Sequence, residues 1–415
     1  MSIKINTRTR YKIIGSDYSA QEPRLTAFVS QDQTMIDAYM KGQDLYAVIA
    51  QSAFDNNYED NLEFYPEGTE IEENGKKIIC GYKTNMNKQG KERRKVGKVL
   101  QLAATYGMSG STAGSNMGKS AEDGEILLAK FFKKFHGVAD TIASSKKFLR
   151  DNGYVEDWAG RRRHLPEINL PKYTVHLKDN NEIANFNPFL GCANRDDQRD
   201  PLVIKWKSKV NEMINKSYEA QKKRIASWNE KHPDFVKEWE PNGEMSNMAY
   251  EKLAKEALAE GVIIGANTGK IAQAERQCFN ARIQGGAASL TKLAMINIDR
   301  DPLLNELDAH LIITVHDEVL VECPAYYADQ VEQRLPQIMI DTAKPYINVP
   351  MRCDPYNVSR WYADEAAVAL RDEFEKLEKN KVPHDIAMEK LYNMHSELSK
   401  AVIDNAINNG ADLEF

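Results

Sequence analysis

Apolar residues change their spacing several times along this chain, and the changes mark its elements. The β-branched and aromatic residues Tyr11, Ile13 and Ile14 predict a short strand ending near Ser16. A second run, Leu311-Ile312-Ile313-Thr314-Val315, is followed by Val319-Leu320-Val321, predicting a hairpin with His316-Asp317-Glu318 at its bend. Between these strands the spacing is helical. In RKVGKVLQLAATYG (94–107), Arg94, Lys98, Leu102 and Tyr106 recur every four residues, so on a helix they form one slowly turning stripe that Gly107 ends. Further helices are predicted over 202–239 and near 246–261, with a polar loop over 179–201 before them. The polar segment 55–90 carries a hairpin-turn signal at Asn74-Gly75. Beyond 365, Val368, Phe374, Leu377, Ile386, Leu391, Met394, Leu398 and Val402 predict two amphipathic helices broken near Pro383.

A chain of 415 residues with 42% hydrophobic positions can bury a sizeable core and should hold two or more domains. A net charge of −6 would argue against a polyanionic partner if the charge were uniform. It is not uniform: residues 364–415 hold 12 acidic and 6 basic residues, so the rest of the chain is neutral. Within that rest, residues 81–163 hold 17 Lys and Arg against 8 Asp and Glu, which points to a phosphate-bearing partner. Cys80, Cys192, Cys278, Cys323 and Cys353 are far apart and lack zinc-finger spacing, so neither structural zinc nor a disulfide framework is expected. No apolar leader or long apolar run is visible, and a reducing cytoplasm, the host's if the chain is viral, is the expected location.

Asp17 and Asp317 each lie at the end of a predicted strand. If those strands are neighbours, the two carboxylates can hold two Mg²⁺ ions roughly 3.5–4 Å apart, because hard cations take oxygen ligands. Read alone, Asp17 is better taken as a strand-end cap and Asp317-Glu318 as a solvated turn, by roughly three to one. The stripe between them changes the balance. Arg94 and Lys98 near the start of the helix suit triphosphate oxygens, while Leu102 and Tyr106 lie further along. The alternative is an ordinary solvated basic face.

These residues resemble a family-A DNA polymerase of the bacterial DNA polymerase I type, over about 11–166 and 270–362. Asp17, Tyr18, Ser19, Glu22 and Arg24 match the family's first motif, and Arg94, Lys98 and Tyr106 its nucleotide-binding helix. The resemblance implies that Asp17, Asp317 and Glu318 are catalytic and that Asp17, Asp317 and the Tyr18 carbonyl bind metal. Glu22 becomes a steric gate against ribonucleotides, supported by Arg24, and Gln21 joins the nucleotide pocket. Leu102 departs from the family's aromatic residue, and Tyr46 stands where many relatives have His. Arg276, Asn280 and Gln284, again spaced by four, resemble primer–template contacts, with His316 and Arg24 beside them; such groups read minor-groove acceptors common to all correct pairs. Arg161, Arg162 and Arg163 form either a phosphate contact or a solvated turn. Trp206, Trp228 and Trp239 read as satellite-core residues rather than base-stacking platforms.

The fold expected is α+β: a polymerase right hand with an antiparallel palm sheet and mainly helical fingers, the thumb absent from this chain. The expected order is palm over 1–30, fingers over 31–275 with insertions near 55–90 and 169–269, palm over 276–364 and an acidic helical extension over 365–415. That extension either caps the palm or binds another protein. The expected activity is DNA-templated, Mg²⁺-dependent extension of a primer by deoxynucleoside triphosphates, in replication or repair. A second polypeptide is expected to supply the thumb and is the candidate source of an exonuclease, as in a split enzyme of a phage or other mobile replicon. The alternatives are a single-subunit RNA polymerase relative, which Glu22 and the His-Asp-Glu hairpin oppose, and a catalytically silent DNA-binding subunit.

Overall fold

A computed structural model describes residues 11–73, 76–178, 199–235 and 241–358. Its strands in chain order are β1 (Tyr11–Tyr18), β2 (Glu70–Glu73), β3 (Lys76–Ile79), β4 (Tyr154–Glu156), β5 (Arg162–His164), β6 (Tyr173–Leu177), β7 (Val262–Ala266), β8 (His310–Val315), β9 (Glu318–Pro324) and β10 (Cys353–Val358). The helices are α1 (Gln21–Ser30), α2 (Gln33–Met40), α3 (Leu45–Phe54), α4 (Lys88–Tyr106), α5 (Gly110–Asn116), α6 (Ala121–Lys134), α7 (His136–Asn152), α8 (Pro201–Lys231), α9 (Asn247–Ala259), α10 (Thr268–Asp299), α11 (Pro302–Glu306) and α12 (Ala328–Ala343). The Asn74-Gly75 turn, most of the 179–201 loop, Cys192, Trp239 and the helices expected beyond 365 lie outside the described residues. No helix among the described residues is long and apolar enough to cross a membrane.

The described residues divide into two compact units, one built from 11–21, 288–346 and 351–358 and the other from the middle of the chain. The division falls at Gln21/Glu22 and Ala287/Ala288, with 347–350 also in the second unit. The sequence boundaries at 30 and 275 differ from these, because α1 and the first part of α10 pack with the helical unit.

The first unit is an antiparallel sheet of order β10-β1-β9-β8. β1 runs to Tyr18 rather than stopping near Ser16, because Asp17 still pairs with both neighbours and Tyr18 with β10. Alternation divides its side chains: Ile14, Ser16 and Tyr18 are buried on the face that packs against α12, where the Tyr18 phenol donates to the Met339 carbonyl at 2.8 Å. Gly15 and Asp17 point to the other face. β9 reads as a nearly continuous apolar run, Val319-Leu320-Val321, and all three residues are fully buried. The hairpin loop is the two residues His316 and Asp317, so Glu318 opens β9 instead of sitting at the bend.

The second unit is mainly helical. α3 and α4 pack so closely that a Cβ on Gly97 would collide with the Tyr46 carbonyl, so glycine is required there. α4 ends where its stripe ends: Gly107 adopts φ +63° and its amide caps the last turn by donating to Ala103 and Ala104 carbonyls. Residues 173–266 carry a separate apolar core in which the β6–β7 pair, α8 and α9 surround Trp206, itself completely buried. Its indole N–H donates to Glu260 at 3.0 Å. Trp228 instead stacks on His232, with ring centroids 4.1 Å apart.

Candidate active site

Strand register builds the first part of the site. Asp17, on the central strand β1, has Glu318 directly across on β9 and Asp354 directly across on β10. Directly opposed residues project to the same face, so three carboxylates form one row across the sheet. Asp317 adds a fourth from the tight turn, where His316 takes φ +57° and the Asp317 carbonyl accepts the Tyr18 amide at 3.3 Å. The Asp17 carboxyl is pushed above its ordinary pKa, first by burial and then by the negative charge of Asp317, Asp354 and Glu318.

Two of the four are held by neighbours. Glu318 accepts a hydrogen bond from the Tyr356 hydroxyl at 2.6 Å. Asp354 accepts from the Ser19 hydroxyl and from the Arg352 guanidinium at 3.0 Å. Among the described residues, no hydrogen bond or ion pair gives Asp17 or Asp317 a cationic side chain. Nor are three His, Cys, Asp or Glu side chains gathered there as a ready-made metal cage. The donors still fit a hard divalent cation: all are oxygens, and the charge crowding that raises Asp17 is what such a cation relieves.

The second unit carries the basic stripe. Arg94, Lys98, Leu102 and Tyr106 lie on the accessible side of α4, while Gly97, Leu100, Gln101, Ala103, Ala104 and Thr105 are buried on the other. Lys98 is exposed. Arg94 is tethered: its Nε meets Asp44 at 2.5 Å, and its guanidinium lies 5.0 Å from the centre of the Tyr46 ring. Asp44 also caps α3 by accepting the Tyr46 amide at 2.9 Å. Burial raises the Tyr46 phenol's pKa, with Arg94 opposing.

At the other end of the stripe, the Tyr106 hydroxyl lies 3.3 Å from Glu22 and accepts from the Gln284 amide at 2.9 Å. Burial and then the Glu22 charge raise the Tyr106 pKa. Residues 22, 106 and 284, far apart in sequence, thus converge. Arg276 is exposed beside Gly107, and Asn280 holds a buried side-chain oxygen without a partner in the structure.

Other candidates have different surroundings. Gln21 is almost fully buried, and its amide donates to Thr291 at 3.1 Å. Arg24 donates to the Pro350 carbonyl and stacks 4.4 Å from the Tyr39 ring centre, so its visible work is to brace α1. Arg161 and Arg163 are exposed, whereas Arg162 pairs with Glu156 at 2.6 Å and lies over Tyr154. Sequence reasoning missed Asp354, Tyr356 and Asp44. Only Asp44 had a local signal, as an N-cap before the α3 apolar run; the other two enter through strand register.

One unit thus carries a carboxylate row on a four-stranded antiparallel sheet, and the other carries a helix with an accessible basic stripe. The profile of DNA polymerase family A matches residues 73–193 and 204–363, and the chain belongs to that family. It is 20% identical over 350 residues to DNA polymerase I of Lactococcus lactis subsp. lactis (strain IL1403), covering 84% of this chain and 26% of that protein. With DNA polymerase I of Mycobacterium bovis it shares 28% identity over 183 residues, covering 44% of this chain and 17% of the relative. The polymerase domain of Pol1 from M. smegmatis, solved with DNA primer-template and dNTP, aligns with a TM-score of 0.51 at 20% identity. That alignment covers 85% of this chain and 40% of the other and supports the α+β fold. The chain spans about a quarter of the length of the DNA polymerase I of L. lactis.

Proposed function

We propose that this chain carries the palm and fingers of a DNA-templated DNA polymerase that extends a primer by nucleotidyl transfer. The observation that carries the reading is the placement of Asp17 opposite Glu318 with Asp317 in the adjoining turn. When bound, two Mg²⁺ ions supply charge stabilisation for the attacking 3′-oxygen and the departing pyrophosphate. Asp17 and Asp317 hold them, with the Tyr18 carbonyl and Glu318 assisting. Arg94 and Lys98 bind the triphosphate, and Leu102 and Tyr46 border it. Glu22, kept in place by Tyr106 and Gln284, excludes a ribose 2′-hydroxyl. Arg276, Asn280 and His316 contact primer and template.

The test is primer extension on a DNA template with Mg²⁺, using deoxy- and ribonucleotides in separate reactions. Wild-type extension with deoxynucleotides that disappears in Asp317→Ala is the expected result. Because the chain spans only part of its relatives, the assay is run with and without cell extract. Dependence on extract would support a second polypeptide as thumb donor. Absence of extension in both conditions would overturn the catalytic reading in favour of a silent DNA-binding subunit.

A further inference from the structure

Tyr356 and Glu318 hydrogen-bond although they are not on neighbouring strands. Tyr356 lies on β10 and Glu318 on β9, with β1 between them. Two strand spacings separate their backbones by roughly 10 Å, so the tyrosine reaches the carboxylate only by lying across β1. The residue it crosses is Gly15, its register partner on that strand. A Cβ there would fall inside the phenol, onto Cζ, Cε1 and the hydroxyl. Gly15 lies in extended backbone within β1, so space rather than backbone freedom requires a glycine.

Electrostatics gives the crossing a purpose. Glu318 is directly opposite Asp17, and like charges opposed on one sheet face repel. At the first position of β9, beside a turn, an untethered glutamate would rotate toward solvent. An arginine could hold it but would cancel the negative charge that attracts a cation. A phenol hydroxyl holds it while leaving the row's charge intact.

We infer that Tyr356 is a positioning residue that keeps Glu318 in the carboxylate row, and that Gly15 is the gap through which it does so. The inference rests on reading that row as the metal-binding part of a polymerase. It is tested on the whole chain by titrating Mn²⁺ and following the loss of the free-ion electron paramagnetic resonance signal, with thermal unfolding of the metal-free proteins alongside. Wild type is expected to bind and Asp17→Ala to lose binding. Tyr356→Phe should weaken binding about tenfold, as removal of a group that orients a metal ligand does. Gly15→Ala keeps both partners but displaces the ring, and should weaken binding similarly; Gly15→Ala/Tyr356→Phe should lose nothing further, since both changes break one device. Mn²⁺ affinity in Tyr356→Phe equal to wild type overturns the inference alone, as do additive losses in the double variant. A wild type that binds no Mn²⁺ overturns the carboxylate reading and the inference with it. If Gly15→Ala does not fold, the Tyr356→Phe titration decides.

Discussion

The carboxylate row of the sheet and the basic stripe of α4 handle charge in opposite ways. On the sheet, hydrogen-bonded strands force like charges together, and no basic side chain among the described residues offsets Asp17 or Asp317. On α4, where side chains can move, Arg94 is paired with Asp44 and stacked on Tyr46. A rigid backbone can therefore maintain an unfavourable charge arrangement, whereas a flexible cationic side chain takes the carboxylate partner within its reach.

Asp317→Ala should give the largest effect. Extension is expected to fall by about 1000-fold or more, since metal-borne charge stabilisation amounts to several kcal/mol. Thermal stability should not fall, because a like charge leaves the neighbourhood of Asp17. A marked loss of stability in circular-dichroism melts would break the contrast by showing that Asp317 supports the fold.

Next in size is Arg94→Ala. Loss of charge-assisted bonds to a triphosphate should lower kcat/KM for deoxynucleotides about 10- to 100-fold, and Arg94→Lys should recover only part, because an ammonium lacks the guanidinium fork. Steady-state kinetics that leave both variants like wild type would remove Arg94 from the phosphate site.

Asp301 supplies the paired control inside the sheet unit. It caps α11 and meets Arg334 at 2.6 Å, with only 6% of its side chain exposed. Burial pushes its pKa up, but the Arg334 bonds and the Leu304 amide outweigh that, so the carboxyl titrates below its ordinary value. A depressed folded-state pKa gives stability that is present above the unfolded value of about 3.9 and is lost as pH falls through the folded value. Asp301→Asn, which can still cap, should cost about 1–2 kcal/mol at pH 7, with the gap from wild type closing below about pH 4 in denaturant melts. A gap independent of pH would mean that the charge pairing is not its source.

The smallest effect is expected from Asp44→Asn. The asparagine keeps the α3 cap and removes the charge that holds Arg94. A partly exposed pair of this kind contributes under about 1 kcal/mol, so triphosphate affinity should tighten only a few-fold. Weaker binding would show that Asp44 orients Arg94 instead of competing with the phosphate.

Local patterning was legible wherever one residue's environment follows from its neighbours. The α4 stripe and its Gly107 stop were readable from period and conformational preference, as was the β8–β9 hairpin. Asp354 and Tyr356 were not. Their importance lies in which strand pairs with β1 and in what register, and a one-residue slip would have turned both to the other face. The burial of Gln21 and its bond to Thr291 were likewise not legible, since Thr291 is brought to it only by the fold.

By itself the sequence determined the family, the mixed helix-and-sheet architecture, the Asp17 and Asp317 motifs and the order of charges along α4. These are short-range regularities of spacing and residue chemistry. Only the tertiary structure decided that Asp354 completes a row with Asp17 and Glu318, that Tyr356 crosses Gly15 to hold that row, and that Arg94 rests on Asp44. Each joins residues tens to hundreds of positions apart, and strand register and side-chain reach, which no local pattern encodes, decide whether such residues meet.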